Sequence, residues 1–388
     1  MNGTWTGQCK VPHFTWTTEC GARRVRFEAS APRRGSRRSP VVFRLAGRSD
    51  AAGAVAGRYL ATQFPGRRIA LISDKTGYGQ ALVEGARRAL VAARVGNFIL
   101  GQAPECANMF VGAGFNAFGI ASGGGAGWVL AQWVASGEQP LDLWVVDIRR
   151  FSGMHRDQTW TRERTLEAYG KHYTIGFPHE EYLSGRPAIV SPLYQRLKAL
   201  NAVFGSKLGW ERPNWFARQG EAAEDIYSMG RQNWFDAVGE EHRHVRAAVG
   251  LFDQSSFAKY EMRGRDAAEA LSFISANRVA RGPGRLTYTQ MLNSRGGIEC
   301  DLTVAQLAED HFYIVTGTGF RTHDFAWIRE HVRPRLDAVL TDVTEQWGTL
   351  SLMGPRSRDI LSKVTKADVS NEAFPFGAVR VIEVAGAE

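Results

Sequence analysis

The segment that most constrains this chain runs from Tyr288 to Val304, YTQMLNSRGGIECDLTV. Two strand-prone runs flank a turn carrying Gly296 and Gly297, a spacing that predicts a β-hairpin. The second run holds a single aspartate, Asp301, between Cys300 and Leu302, with Ile298 and Val304 beyond them. An acid set among apolar strand residues is expected to be partly buried. Burial disfavours the charged form of a carboxyl group, and such a group suits proton exchange with a weakly basic nitrogen. A surface acid on a tight hairpin is the plainer reading of the segment taken alone.

At 388 residues the chain has room for two or three domains and a sizeable core. No apolar run reaches the 18 or so residues of a membrane span. The opening MNGTWTGQCK has neither the basic nor the apolar region of a signal peptide, so a cytoplasmic location and no membrane partner are expected. The net charge is +9, and much of the excess lies in the first 60 residues, at Arg23, Arg24, Arg26, Arg33, Arg34, Arg37, Arg38, Arg44, Arg48 and Arg58. That distribution reads as a basic tail, with no nucleic-acid partner expected. Cys9, Cys20, Cys106 and Cys300 show no metal-ligand spacing and read as reduced thiols. On a helix, His242 and His244 would face different ways, and His172 and His179 form no better pair; no metal site is expected. Trp210, Trp215, Trp234 and Phe235 read as packing aromatics without a basic stripe beside them.

Five segments follow from these shifts in pattern. Residues 1–40 are a basic segment without apolar periodicity, expected to be disordered. Residues 41–96 form an α/β fragment, in which SDAAGAVAGRYLATQF predicts a helix, RIALIS a strand and DKTGYGQALVEGARRAL a loop and second helix. Residues 97–151 are dense in glycine and apolar side chains. Residues 152–212 are a connecting region, and residues 213–388 carry the hairpin described above.

Within the third segment, Phe110-Val111 reads as a strand end, Gly112 to Gly125 as a glycine-rich loop and Ala126 to Ser136 as a helix. The pattern Gly112-x-Gly114-x-x-Ala117 mimics a dinucleotide fingerprint, but Gly123, Gly124 and Gly125 would break the helix that must follow it. The three glycines are placed at the helix N-terminus, where free N–H groups and the dipole receive negative charge. The N1/O2 edge of a reduced flavin is such a group.

Two resemblances follow from these residues. Phe43 to Leu90, with its Asp74-Lys75-Thr76-Gly77-Tyr78-Gly79 turn, resembles a fragment of the type I periplasmic binding proteins for branched-chain amino acids. FVGAGFNAFGIASGGGAGWVLAQWVASGEQPLDLWVVDIRRF resembles the closing part of the FAD-binding domain of the dimethylglycine and sarcosine dehydrogenases. The following YGKHYTIGFPHEEYLSGRPAIVSPLYQRLKALNAVFGSKLGWERPNWF is similar to their connecting region. Four further pieces, EEHRHVRAAVGLFDQSSFAKYEMRGRDAAEALSFI, TYTQMLNSRGGIECDLTV, GFRTHDFAWI and SLMGPRSRDIL, resemble their tetrahydrofolate domain, itself similar to the aminomethyltransferase T-protein of the glycine cleavage system.

The resemblance covers about residues 97 to 388 in continuous order. It implies a multi-domain α/β and α+β architecture, a partial FAD-oxidoreductase α/β domain joined to an α+β aminomethyltransferase-like folate domain. It also implies oxidation of a small N-methyl amine such as dimethylglycine or sarcosine, with FAD and tetrahydrofolate as cofactors and transfer of the one-carbon unit to the folate. An electron-transfer flavoprotein is a candidate acceptor. By the same resemblance Asp301 is the catalytic acid facing folate N10, and Tyr288 is the aromatic facing the pterin. Gly112, Gly114, Asn116, Gly119 and Gly123 to Gly125 form the flavin-facing turn. The family's opening G-x-G-x-x-G unit has no counterpart here, so an incomplete copy is expected. The alternatives are a non-redox folate-binding remnant and an inactive chimera.

Overall fold

The computed structural model describes residues 98–106, 108–115, 119–171 and 174–387, together with the backbone of two short strands, β1 (Asn2–Thr4) and β2 (Thr15–Thr17). These two strands pair antiparallel, with Gly3 opposite Trp16, inside a segment for which no regular structure was expected. The run Thr15-Trp16-Thr17 is β-branched and aromatic, which favours a strand over its polar neighbours. The binding-protein-like segment 43–90, His172 and Asn116 lie outside the described residues. The chain divides into two compact units, Met1–Ile148 and Arg149–Glu388.

In the first unit, β3 (Ile99–Gln102) and β4 (Phe110–Ala113) form an antiparallel hairpin, with Leu100 opposite Gly112. Helix α1 (Gly119–Ser136) follows. Its buried side chains, Ala126, Val129, Leu130 and Trp133, recur at helical spacing and pack against Leu100, Leu143 and Val146. The helix therefore begins at Gly119 and not, as expected, at Ala126. Gly123, Gly124 and Gly125 lie within it. A glycine costs a helix about 1 kcal/mol relative to alanine, so propensity alone stops the helix at the triplet. Burial of the Ala126–Trp133 stripe holds the helix in place, and the first two turns extend from that anchored end.

The second unit opens with α2 (Gln158–Gly170), whose N-cap Asp157 accepts the Trp160 N–H at 2.8 Å. Next come α3 (Tyr194–Ala199) and a hairpin of β5 (Ala202–Lys207) and β6 (Trp210–Phe216). Helix α4 (Phe235–Ala247) packs Ala237 and Val238 with Val203, Trp215, Ala217 and Trp234 in a local core. Trp215 also donates its Nε1–H to Asp225 Oδ1 at 2.8 Å, so these aromatics serve packing. His242 and His244 stand exposed on α4.

The remaining elements are β7 (Gly250–Asp253), β8 (Ala258–Arg263), α5 (Ala267–Ile274), β9 (Arg285–Leu292), β10 (Ile298–Ala308), β11 (His311–Thr316), α6 (Arg321–His331), β12 (Val339–Asp342), β13 (Leu350–Met353) and α7 (Ser357–Val364). Five of the strands make one antiparallel sheet in the order β12-β8-β11-β10-β9, and β13 pairs with β7. One face of the sheet presents Tyr260, Met262, Met291, Cys300, Leu302, Val304, Phe312 and Ile314 to Leu271 and Ile274 of α5 and to Trp327 and Ile328 of α6. Helices confined to one face of an antiparallel sheet make this unit α+β, whereas the first unit holds a strand hairpin and one helix.

The β9–β10 hairpin closes through Asn293, whose N–H donates to the Gly297 carbonyl and whose side-chain oxygen accepts the Gly297 N–H, both at 2.9 Å. Gly296 has φ +79°, and a Cβ at Gly297 would fall 2.8 Å from the Asn293 side chain. Both glycines are thus required by the turn.

Candidate active site

A regular strand turns alternate side chains to opposite faces. Strand β10 departs from that rule at two places, near its end between Gln306 and Ala308 and, next to Asp301, at a bulge between Ile298 and Cys300, where the register shifts from Ile298↔Leu292 to Cys300↔Met291. Beyond it, Asp301 lies opposite Gln290 and Thr303 opposite Tyr288. Ile298 is exposed, Cys300 is buried and Asp301 is exposed again, so the bulge inverts the face on which the residues that follow it, Cys300 to Val304, appear. Without it, Asp301 would point into the core with the acid buried. The expected partial burial of Asp301 is thereby corrected.

The open face brings Asp301 and Tyr288 together. Gln290 donates its Nε2–H to Asp301 Oδ1 at 3.0 Å. The Tyr288 hydroxyl also bonds to the Asp301 carboxylate, which raises the phenol above its ordinary pKa. Leu286, Leu292 and Ile298 border the trio as exposed apolar side chains. The Asp301 carbonyl accepts the Thr316 hydroxyl at 3.3 Å, fixing the backbone beneath the carboxylate. An aromatic face, an apolar margin and an acceptor-only carboxylate can hold a flat heteroaromatic ring and take a proton from a nitrogen beside it.

Sequence reasoning missed two members of this face. Gln290 is legible only from the register, which the bulge displaces. Lys259 lies on the row Tyr288–Thr303–Val315–Lys259, as the cross-strand pairs show. At that end the face is covered, and Lys259 is fully buried, donating to the Ser255 carbonyl at 2.8 Å. Burial, with the Arg321 charge adding, pulls its ammonium down to about 8.

In the first unit, Gly112 is buried in β4, and a Cβ there would meet Leu130 Cδ1 at 3.0 Å, so glycine permits the close approach of α1. Gly114 turns the chain off β4 with φ +70°, and Gly119 opens α1. Gly123, Gly124 and Gly125 stand exposed in the second turn, with nothing within 4 Å of a Cβ built on them. Their placement at the helix N-terminus is corrected: they are interior, and their amides are committed to helical bonds. The first-turn N–H groups, which have no partner within the helix, belong to Gly119, Ile120 and Ala121.

The comparisons with known proteins extend this geometry to a family. The description "GCVT N-terminal domain" fits residues 193–388, and "FAD dependent oxidoreductase central domain" fits residues 136–191. The chain belongs to the family of the GCVT N-terminal domain, and relatives named sarcosine dehydrogenase and dimethylglycine dehydrogenase match it across most of its length. It is also similar to 4-methylaminobutanoate oxidase (formaldehyde-forming) of Paenarthrobacter nicotinovorans, 39% identical over 289 residues, covering 74% of this chain and 35% of the relative. It is 38% identical over 328 residues to mitochondrial sarcosine dehydrogenase of Mus musculus, covering 74% of this chain and 36% of that protein. Against mitochondrial dimethylglycine dehydrogenase of Mus musculus the figures are 36% over 271 residues, 69% and 31%. The chain thus spans about a third of the length of these relatives. Among its described residues no helix is long and apolar enough to cross a membrane.

Proposed function

We propose that this chain contributes to FAD-dependent oxidative demethylation of an N-methyl amino acid of the dimethylglycine or sarcosine type, with one-carbon transfer to tetrahydrofolate on the β9–β10 face. The observation that carries the reading is the convergence of Asp301, Gln290 and Tyr288 on one open, apolar-rimmed surface. Bound flavin would supply the two-electron oxidation of the N-methyl group, and bound tetrahydrofolate the nitrogens that take up the one-carbon unit. Tyr288 stacks the pterin. Gln290 and the Tyr288 hydroxyl orient the Asp301 carboxylate, and its remaining lone pairs accept the proton released at folate N10. Gly112, Gly114, Asn116 and Gly119 shape the flavin-facing turn, and the first-turn amides of α1 receive negative charge at the flavin edge. In this reading residues 97–151 belong to the flavin domain, 152–212 connect and 213–388 bind folate. An electron-transfer flavoprotein is the proposed acceptor, and the cytoplasm the proposed location.

A second reading, tetrahydrofolate binding without redox chemistry, is favoured by the gathering of the whole folate-facing set on a single hairpin. The two separate on purified protein. Flavin absorbance together with a thermal shift in tetrahydrofolate supports the first; the thermal shift without flavin supports the second. A site filled to 100 times its Kd stabilises by about 2.7 kcal/mol. In a preparation that oxidises the amine, Asp301→Asn is expected to abolish methylenetetrahydrofolate formation and leave amine oxidation intact. Undiminished folate product from that variant would refute the assignment.

A further inference from the structure

The same bulge that turns Asp301 outward turns two neighbouring donors inward. Glu299 and Cys300 both reach the helix-covered side of β10, where the first turn of α6 presents His323 and Asp324. Cys300 Sγ, a ring nitrogen of His323 and a carboxylate oxygen of Asp324 lie within 4.8 Å of one another, and all three residues are buried. His323 Nδ1 is 2.8 Å from Asp324 Oδ1, and its Nε2 is 3.8 Å from Glu299 Oε2.

We propose that Cys300, His323 and Asp324 form a binding site for one divalent cation of the zinc class, with Glu299 as the outer carboxylate that orients His323. A thiolate, an imidazole and a carboxylate are the donor types zinc takes, with bonds of about 2.0 to 2.3 Å that set neighbouring donors roughly 3.3 to 3.6 Å apart. The three donors reach that spacing by sub-ångström to ångström movements, and one coordination position stays open for water.

The surroundings have the pattern of an outer shell. Thr316 donates its hydroxyl to Asp324 Oδ2 at 2.5 Å, leaving Oδ1 toward the imidazole. Asn293 donates to Glu299 Oε1 at 2.9 Å, leaving Oε2 toward the other ring nitrogen. A metal-bound histidine characteristically gives its second N–H to such a carboxylate. Cysteine binds a divalent cation as the thiolate, so the cation displaces a proton from sulfur as it binds. A divalent ion with a thiolate and two carboxylates leaves one net negative charge, seated at the positive end of α6. The cation clamps residues 299–300 to α6 and so fixes the strand that carries Asp301.

The test is metal analysis of the purified 388-residue chain after zinc loading and dialysis, with Co2+ titration in parallel. One zinc per chain is expected, together with a thiolate-to-Co2+ charge-transfer band that disappears in Cys300→Ser. Glu299→Gln, which keeps all three ligands, should retain the band and bind the ion about 10- to 100-fold more weakly. Circular dichroism confirms that each variant is folded. Absence of zinc and of the band in folded wild-type protein, or a band unchanged in Cys300→Ser, would overturn the site. Because no folate or flavin is added, either result leaves the folate reading to its own experiment.

Discussion

The two faces of the five-stranded sheet use adjacent residues for opposite purposes. On the closed face, Leu302 and Phe312 are almost wholly removed from water against α5 and α6. One residue away from Leu302, Asp301 and Thr303 stand on the open face with Tyr288 and Gln290. Closed-face residues hold the fold together, whereas open-face residues are spared packing and are available to a ligand. The difference is set by one inserted residue at the Glu299 bulge.

The contrast is most directly broken by paired substitutions on β10. Leu302→Ala should destabilise the protein by about 3 kcal/mol, since a buried leucine leaves a cavity that closes only in part. Thr303→Ala, on the other face, should change stability by less than about 0.5 kcal/mol. Urea denaturation midpoints measure both, and equal losses would mean that the faces do not differ as described.

Lys259 sharpens the contrast because it shares the open-face row but is covered. Its folded value is about 8 against 10.5 when unfolded. Between those values the unfolded chain binds more protons, so stability rises as pH rises through that interval, and the cost of burying the charge is fully present below pH 8. Lys259→Met should therefore stabilise the protein by about 1–2 kcal/mol at pH 7, and the gain should vanish as pH approaches 10.5. Thermal denaturation across that range reads it out; a gain independent of pH would show that the ammonium is not the source.

Tyr288→Leu addresses the open face alone. Loss of the aromatic ring should weaken tetrahydrofolate binding by about 0.5–1.5 kcal/mol and leave the denaturation midpoint unchanged. A shifted midpoint would place Tyr288 among the residues that stabilise the fold. The smallest effect belongs to the outward side of α1, where Gly124→Ala should stabilise by about 0.5–1 kcal/mol, since no atom lies within 4 Å of the added methyl group. Destabilisation in a thermal melt would contradict the helical placement of the triplet.

The turn at Asn293–Gly297 was legible because its chemistry is local: an asparagine and two glycines define the geometry. The bulge was not, because it exists only against β9, and with it went the burial of Asp301 and the role of Gln290. The glycine triplet misled for a related reason. Residues 123–125 taken by themselves disfavour a helix, and the force that keeps them helical comes from Ala126 to Trp133 packing on β3 and β4. Cys300 and His323 are 23 positions apart, on a strand and a helix that meet only in the folded sheet, so no spacing rule connects them. Tyr288 and Asp301, by contrast, were reached through an ordered resemblance, and the structure brings them onto the same face.

The measurement that bears most directly on the open face is calorimetric titration of tetrahydrofolate into the 388-residue chain and its Asp301→Asn variant at pH 7. If the Asp301 carboxylate faces the bound folate, the wild-type chain binds and the variant binds about tenfold or more weakly, the loss of a hydrogen bond to a charged group being worth about 1.5–3 kcal/mol. Equal affinity in the two proteins would contradict it.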